Sequence, residues 1–153
     1  MTQLRRTDRG MTEDKAAELL AAGEYGVLST VGADSQPYGV PLNYVFHAGA
    51  IYFHCALEGH KLENIKVNSR VSFCVVGRTR VLREKFSTAY ESVIAFGSAA
   101  EVTGEEQKDA LLWLVEKYSS DFIPEGRKYI ERSHGDTRVV KIIVDQVIGK
   151  ARS

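Results

Sequence analysis

Between His54 and Ile65 the chain reads HCALEGHKLENI, with two histidines, a cysteine and a lysine inside eight residues. Those side chains could ligate a metal, supply a thiolate or hold an anion. Their spacing separates the three chemistries. Neighbours on a strand point to opposite faces, so His54 and Cys55 are not placed to share one ion. No HExxH, no paired CxxC and no third ligand at a familiar spacing is present, which predicts no metal site. Haem ligation by one of the four histidines, His47, His54, His60 or His134, stays open. A Cys55 thiolate would need a lowered pKa, which Lys61 and a helix start could favour. A free cysteine in an apolar strand is more often a small core hydrophobe, and Cys55 and Cys74 are both read that way. No GxSxG elbow is present.

Anion binding suits the stretch better. A helix is predicted to start at Gly59 or His60. Its first N–H groups lack intrahelical partners and carry the positive end of the dipole. Gly59 permits close backbone approach. Lys61 is badly placed for that dipole unless an anion sits there. Two readings stay open: a phosphate cradle, and an empty helix start with a solvated lysine. A second charge run, RTRVLREK over 78–85, sets Arg78 and Arg80 on one strand face. It reads as a solvated edge that discourages sheet aggregation, or as extra charge facing an anionic ligand. Aromatic residues are not interleaved with it, which argues against a single-stranded nucleic-acid platform.

The elements that must position these residues are mostly strands. Residues 1–10 are polar and predicted to be loosely held. Thr12 caps a helix over 13–22, with Met11 and Ala16 as a hydrophobic staple and Gly23 as a C-cap of positive φ. Strands follow at 25–31, at 38–46 (where Pro41 demands an edge or a bulge) and at 51–56. After the helix at 59–67 come strands at 70–76, 80–86 and 92–102, with Gly97 as a bulge or close approach. Thr103 and Glu106 form a capping box for a helix reaching Tyr118, in which Trp113 is read as packing. SSDFIPEG is loop, a short helix is predicted near 125–133, and an alternating strand around Val140, Ile142 and Val144 ends the chain. Short connections between six or seven strands predict a small antiparallel Greek-key barrel with flanking helices rather than a doubly wound βαβ fold.

Composition agrees with one domain spanning 1–153. The chain is 44% hydrophobic and 26% charged, enough apolar residues for a core, with 20 basic residues balancing 20 acidic ones. Zero net charge predicts no general affinity for nucleic acid or membrane. No run approaches the length of a spanning helix, and MTQLRRTDRG is not followed by an apolar segment, so neither an anchor nor a signal peptide is expected. Two unpaired-looking cysteines suit a reducing cytoplasm.

The stretches GEYGVLSTVGADSQPYGVPLNYVF, IYFHCALEGHKLENIKVNSRVSFCVV and YESVIAFGSAAEV, with the closing GKAR, resemble the FMN-binding split barrels related to pyridoxamine 5′-phosphate oxidase, nearest the nitroimidazole-resistance (Nim) branch. The resemblance spans roughly 5–150. It implies a mainly β split barrel and a homodimer with FMN at the subunit interface. It implies that Val40, Pro41, Leu42, Asn43 and Tyr44 run along the isoalloxazine through backbone groups. His54, Cys55 and Ala56 would lie beside the ribityl chain. His60 and Lys61 would meet the phosphate, with Asn64 near. Tyr90, Ser92 and Val93 of the other subunit would approach the ring, and Lys150 of the closing Gly149–Lys150 is implied as a further cofactor-binding residue. His60 is the implied catalytic candidate, and reduction of a small nitro-aromatic compound the implied activity. The chain is shorter than pyridoxamine phosphate oxidases and lacks their basic C-terminal segment, so a pyridoxamine-type oxidase is the weaker alternative. A non-catalytic flavin- or haem-binding protein is another.

Overall fold

A computed structural model describes residues 2–153. Eleven elements follow one another: α1 (Glu13–Ala22), β1 (Gly26–Val31), β2 (Pro37–Leu42), β3 (Val45–His47), β4 (Ala50–Cys55), α2 (His60–Val67), β5 (Arg70–Leu82), β6 (Ser87–Val102), α3 (Gly104–Tyr118), α4 (Ile123–Ser133) and β7 (Arg138–Arg152). The seven strands form one antiparallel sheet in the order β2-β1-β5-β6-β7-β4-β3. This is the mainly β architecture that the strand spacing predicts.

The strand expected over 38–46 is in fact two strands, at opposite edges of the sheet. Only Asn43 and Tyr44 lie between them. Three Cα–Cα steps reach at most about 11 Å, so the two edges must face each other and the sheet curls into a barrel. Pro41 sits on the edge strand β2, where its missing N–H costs no ladder bond. The turn Ala48–Gly49, with both φ angles positive, joins β3 to β4 as a two-residue hairpin.

The barrel interior holds Leu28, Phe53, Phe73, Val75, Val93, Ala95 and Ile142, with Ala16 and Leu20 of α1 pushed into it. A second cluster lies outside the barrel, where Ala110, Leu111 and Leu114 of α3 and Ile130 of α4 cover Ala50, Tyr52 and Val139. Along β4, therefore, Ile51 and Phe53 point inward and Ala50 and Tyr52 outward.

Several local expectations need correction. Thr12 does cap α1, its hydroxyl accepting from the Lys15 N–H at 3.3 Å. Gly23 does not take a positive φ: it sits at −59°. It is glycine because a Cβ would fall 2.5 Å from both the Tyr44 hydroxyl and Val75. Thr103 makes no side-chain cap to α3. Glu106, the other half of the expected box, accepts instead from the Tyr52 hydroxyl at 2.8 Å and Lys141 Nζ at 2.9 Å. The lead before α1 is docked rather than loose: Gly10 bridges Lys150 and the Met11 N–H reaches the Gly149 carbonyl at 3.0 Å. The two strands read at 70–76 and 80–86 are one, β5, with an irregularity between Val76 and Thr79. Gly97 behaves as expected: the register shifts beside it, and a Cβ would fall 2.1 Å from the Ile143 carbonyl oxygen.

Candidate functional site

β4 delivers the chain to the end of the barrel, and α2 starts five residues later. The link is pinned from the first residue of β7 and the one before it. The Thr137 hydroxyl donates to the Cys55 carbonyl at 2.8 Å, and Arg138 Nε donates to the Leu57 carbonyl at 2.7 Å. Arg138 is itself held by both oxygens of Glu101, at 2.8 and 2.9 Å. Sequence reasoning missed Thr137 and Arg138 as site-building residues, because their partners lie about eighty positions upstream and no local pattern joins them.

α2 is fixed against β1 by Asn64. It is 5% exposed and donates to the Thr30 hydroxyl at 3.0 Å, while Gly32 leaves room for its carbonyl oxygen. Asn64 thus orients the helix from beneath, and its amide nitrogen is directed into the protein. At the other end, His60 meets Tyr38 of β2 edge-on, with ring centroids 4.6 Å apart. So the structure brings the β2 strand, the β4–α2 turn and the first turn of α2 together.

The start of α2 is open. Gly59 is extended, with φ 164°, so no conformational demand explains the glycine. A Cβ there would enter space with no atom within 4 Å. No side chain caps the helix. Half-buried Lys61 stands in the first turn with no carboxylate within salt-bridge distance among the described residues. Open space, uncapped N–H groups and an unmatched cation fit a phosphate. Burial pushes the Cys55 thiol above its ordinary pKa, and the pull of Lys61 and Arg138 does not reverse it. Cys55 packs against the barrel core as a small hydrophobe, and burial likewise raises Cys74.

Other implied site residues lie elsewhere. Tyr44 is fully buried, edge-on to Phe73 at 4.7 Å. Its hydroxyl bonds to the Leu20 carbonyl, its N–H donates to the Tyr118 oxygen, and its carbonyl accepts from Lys117 and Tyr118. Neither its ring nor its backbone has a group left for a flavin, so the implied ring contact is corrected to a structural role. Asn43 spends an amide hydrogen on the Glu24 carbonyl at 2.9 Å. The side chains of Val40 and Leu42 pack against the core, leaving their backbone and exposed Pro41 on the β2 edge. Ala56, exposed, follows β4 in the pinned link. His54 turns away from α2 into a cleft between α3 and α4, where burial pulls its imidazole below the ordinary value although the residue as a whole is exposed.

Tyr90, Ser92 and Lys150 form a separate group on β6 and β7. Ser92 pairs with Lys150 in register, and Lys150 Nζ lies 5.9 Å from the Tyr90 ring centre. Burial raises the Tyr90 hydroxyl pKa, but Arg9 and Lys150 outweigh it and hold the hydroxyl below its ordinary value. The Val93 side chain is fully buried in the barrel, which leaves its backbone as the part that could approach a ring. β1 and β5 separate this group from β2 in the same chain.

The backbone pairing also sets Pro41, Val27, Cys74, Ile94 and Ile148 side by side across five strands. This row lies on the barrel's outer face. Ile94 in it is 37% exposed, and nearby Val76 is 58% exposed. No helix is long and apolar enough to cross a membrane among the described residues.

Comparison with known proteins agrees with this architecture. Residues 12–151 match the sequence model of the family described as pyridoxamine 5′-phosphate oxidase. No curated protein sequence matches. Among solved structures, a candidate 5-nitroimidazole antibiotic resistance protein from Bacteroides thetaiotaomicron superposes with a TM-score of 0.80 at 21% identity, covering 92% of this chain and 85% of that one. An FAD-binding protein from Mesorhizobium loti gives 0.70 at 23% identity, covering 95% and 96%. An FAD- and haem-binding protein from Mycobacterium smegmatis gives 0.80 at 16% identity, covering 93% and 72%. At these identities the superpositions establish the shared split-barrel fold. The family match, which takes in nearly the whole chain, establishes more: this protein belongs to the pyridoxamine 5′-phosphate oxidase family.

Proposed function

We propose that the protein is an FMN-dependent oxidoreductase acting on a small aromatic or nitro compound, working as a homodimer. The observation that carries this is the start of α2: a lysine without a partner beside an uncapped helix end and a glycine facing open space. Lys61 and the first N–H groups of α2 would hold the phosphate through charge-assisted bonds. Asn64 keeps the helix aimed, and Thr137 and Arg138 keep the approach to it rigid. The exposed β2 edge supplies backbone groups for the ring, and His60, resting on Tyr38, is placed at the border of the site to donate or accept a proton. Bound FMN would supply hydride and single-electron transfer.

The outer apolar row supports pairing of two chains, since exposed apolar surface of this kind favours a partner. A second copy would also bring a Tyr90–Ser92–Lys150 group to a site that one chain leaves incomplete. The flavin- and haem-binding neighbours support a redox cofactor without choosing between the two. Recording the visible spectrum of the purified protein, before and after FMN addition and anaerobic dithionite, tests the reading. Flavin bands near ~450 nm that bleach on reduction are expected. Their absence after reconstitution overturns it, and a Soret band in their place turns it towards haem.

A further inference from the structure

The connection between β5 and β6 is longer than the barrel requires. β1 pairs with β5 only over Ser72–Cys74, and β7 pairs with β6 only from Tyr90 onward. Thr79–Leu82 and Ser87–Tyr90 pair with each other, and past Tyr90 no third strand joins them among the described residues. This two-stranded ribbon, closed by a 3₁₀ turn at Arg83–Lys85, runs about 13 Å beyond the barrel. Two strands alone are marginally stable in water. Val81 on the ribbon is 70% exposed and Phe86 at its end is 96% exposed. Phe86 also holds a left-handed φ of 49°, which a glycine would take without strain. Neither feature gains anything from this chain.

The ribbon is also basic. Over 78–86, Arg78, Arg80, Arg83 and Lys85 stand against Glu84 alone. Arg78 reaches Glu91 at 3.5 Å, and the other three cations have no carboxylate within salt-bridge distance among the described residues. The start of α2 has the opposite balance. Lys61 stands there between Glu58 and Glu63, neither of them in a salt bridge among the described residues, and Lys66 lies in the last turn. A bound phosphate would add about −2 to that end.

Within one chain the two regions cannot meet. Asn64 ties α2 to Thr30, next to the start of β5, whereas the ribbon leaves from the other end of that strand. Two copies packed through the outer apolar row, with their barrels running in opposite directions, set each ribbon at the α2 end of the other. The ribbon springs from Tyr90, and Val81 lies on the same ribbon face as Tyr90. A copy that brings Tyr90 to the other's flavin therefore brings the ribbon with it.

We propose that the β5–β6 ribbon is a clamp acting between copies, laid by each over the start of α2 in the other. Arg83 and Lys85 add their charge to the flavin phosphate, and Val81 and Phe86 pack against the second copy. The inference deepens the flavin reading and rests on it.

The test is fluorescence titration of the full chain with FMN and with riboflavin, which lacks the phosphate. Arg83→Glu combined with Lys85→Glu should weaken FMN binding at least about tenfold and riboflavin binding no more than about twofold. Phe86→Gly removes the strain together with the side chain, so it should weaken FMN binding at least about threefold without lowering the melting temperature. Mixed dimers decide whether the clamp acts across copies. A Lys61→Glu chain paired with the doubly reversed chain forms one site in which both parts are intact, and that site should keep the parent's FMN affinity. Loss of every tight site in the mixed dimer overturns the proposal. So does an FMN affinity unmoved by the charge reversal, as a ribbon serving a lipid surface or another protein would give, or an equal loss for riboflavin. These three outcomes leave FMN binding by the parent standing. A parent that binds no FMN overturns the flavin reading and the clamp with it.

Discussion

The Asn43–Tyr44 joint and the Gly59–Lys61 turn are both short links at the ends of strands, rich in polar groups, and both are implied to touch a flavin. Their chemistry is opposite. At the joint every group of Tyr44 is spent, on Leu20, Lys117 and Tyr118. At the turn, Lys61 has no acidic partner among the described residues and Gly59 borders empty space. The joint closes the barrel; the turn is available to a ligand. A binding site is recognised by polar capacity that the fold leaves unspent, because a buried group already satisfied gains nothing from a ligand.

The contrast breaks most visibly at the joint. Tyr44→Ala should cost about 3–5 kcal/mol in urea denaturation, as for other large buried side chains. Tyr44→Phe, which strands the Leu20 carbonyl, should cost about 1–3 kcal/mol. A mild effect of both would mean that the barrel closes without the joint. Asn64→Ala comes next: it should cost about 1–3 kcal/mol in the same assay and also weaken FMN binding, since it supports the site from below. Lys61→Ala should weaken FMN binding by about 1–3 kcal/mol with no loss of melting temperature. If stability falls instead, Lys61 is structural and the contrast fails.

A smaller effect concerns Lys117 at the joint. Burial lowers its pKa to about 8. Between about pH 8 and the ordinary lysine value, the unfolded chain holds the proton that the folded chain releases, so stability should rise with pH from about 8 towards 10. Lys117→Met should flatten that rise in pH-dependent denaturation curves. Smallest of all, His60→Ala should lose only the edge contact with Tyr38, about 0.5–1.5 kcal/mol. Its effect on turnover of a nitro-aromatic substrate should exceed its effect on folding.

Much of the fold was legible locally. The Thr12 cap and the helix behind Gly59 rest on neighbours in sequence, and the close approach at Gly97 is marked by the glycine itself; each was found where its residue type demands. The capping box at Thr103 failed because Tyr52 and Lys141, dozens of residues away, compete for Glu106. The break in PYGVPLNYVF was invisible because both halves have strand character, and only barrel closure separates them. Of the site, Lys61 and Gly59 could be read from the dipole logic of one helix start. Thr137 and Arg138 could not, since nothing near them in sequence shows what they hold.

By itself, then, the sequence determined the strand-rich class, the start of α2 and the unusual lysine within it, because backbone propensities, caps and dipoles act over a few residues. Tertiary structure alone decided that Tyr44 is committed to the core and that His134 and Asp136 join His54 across a cleft. Those outcomes depend on which groups meet after the sheet curls, and hydrogen-bonding capacity is allotted only then.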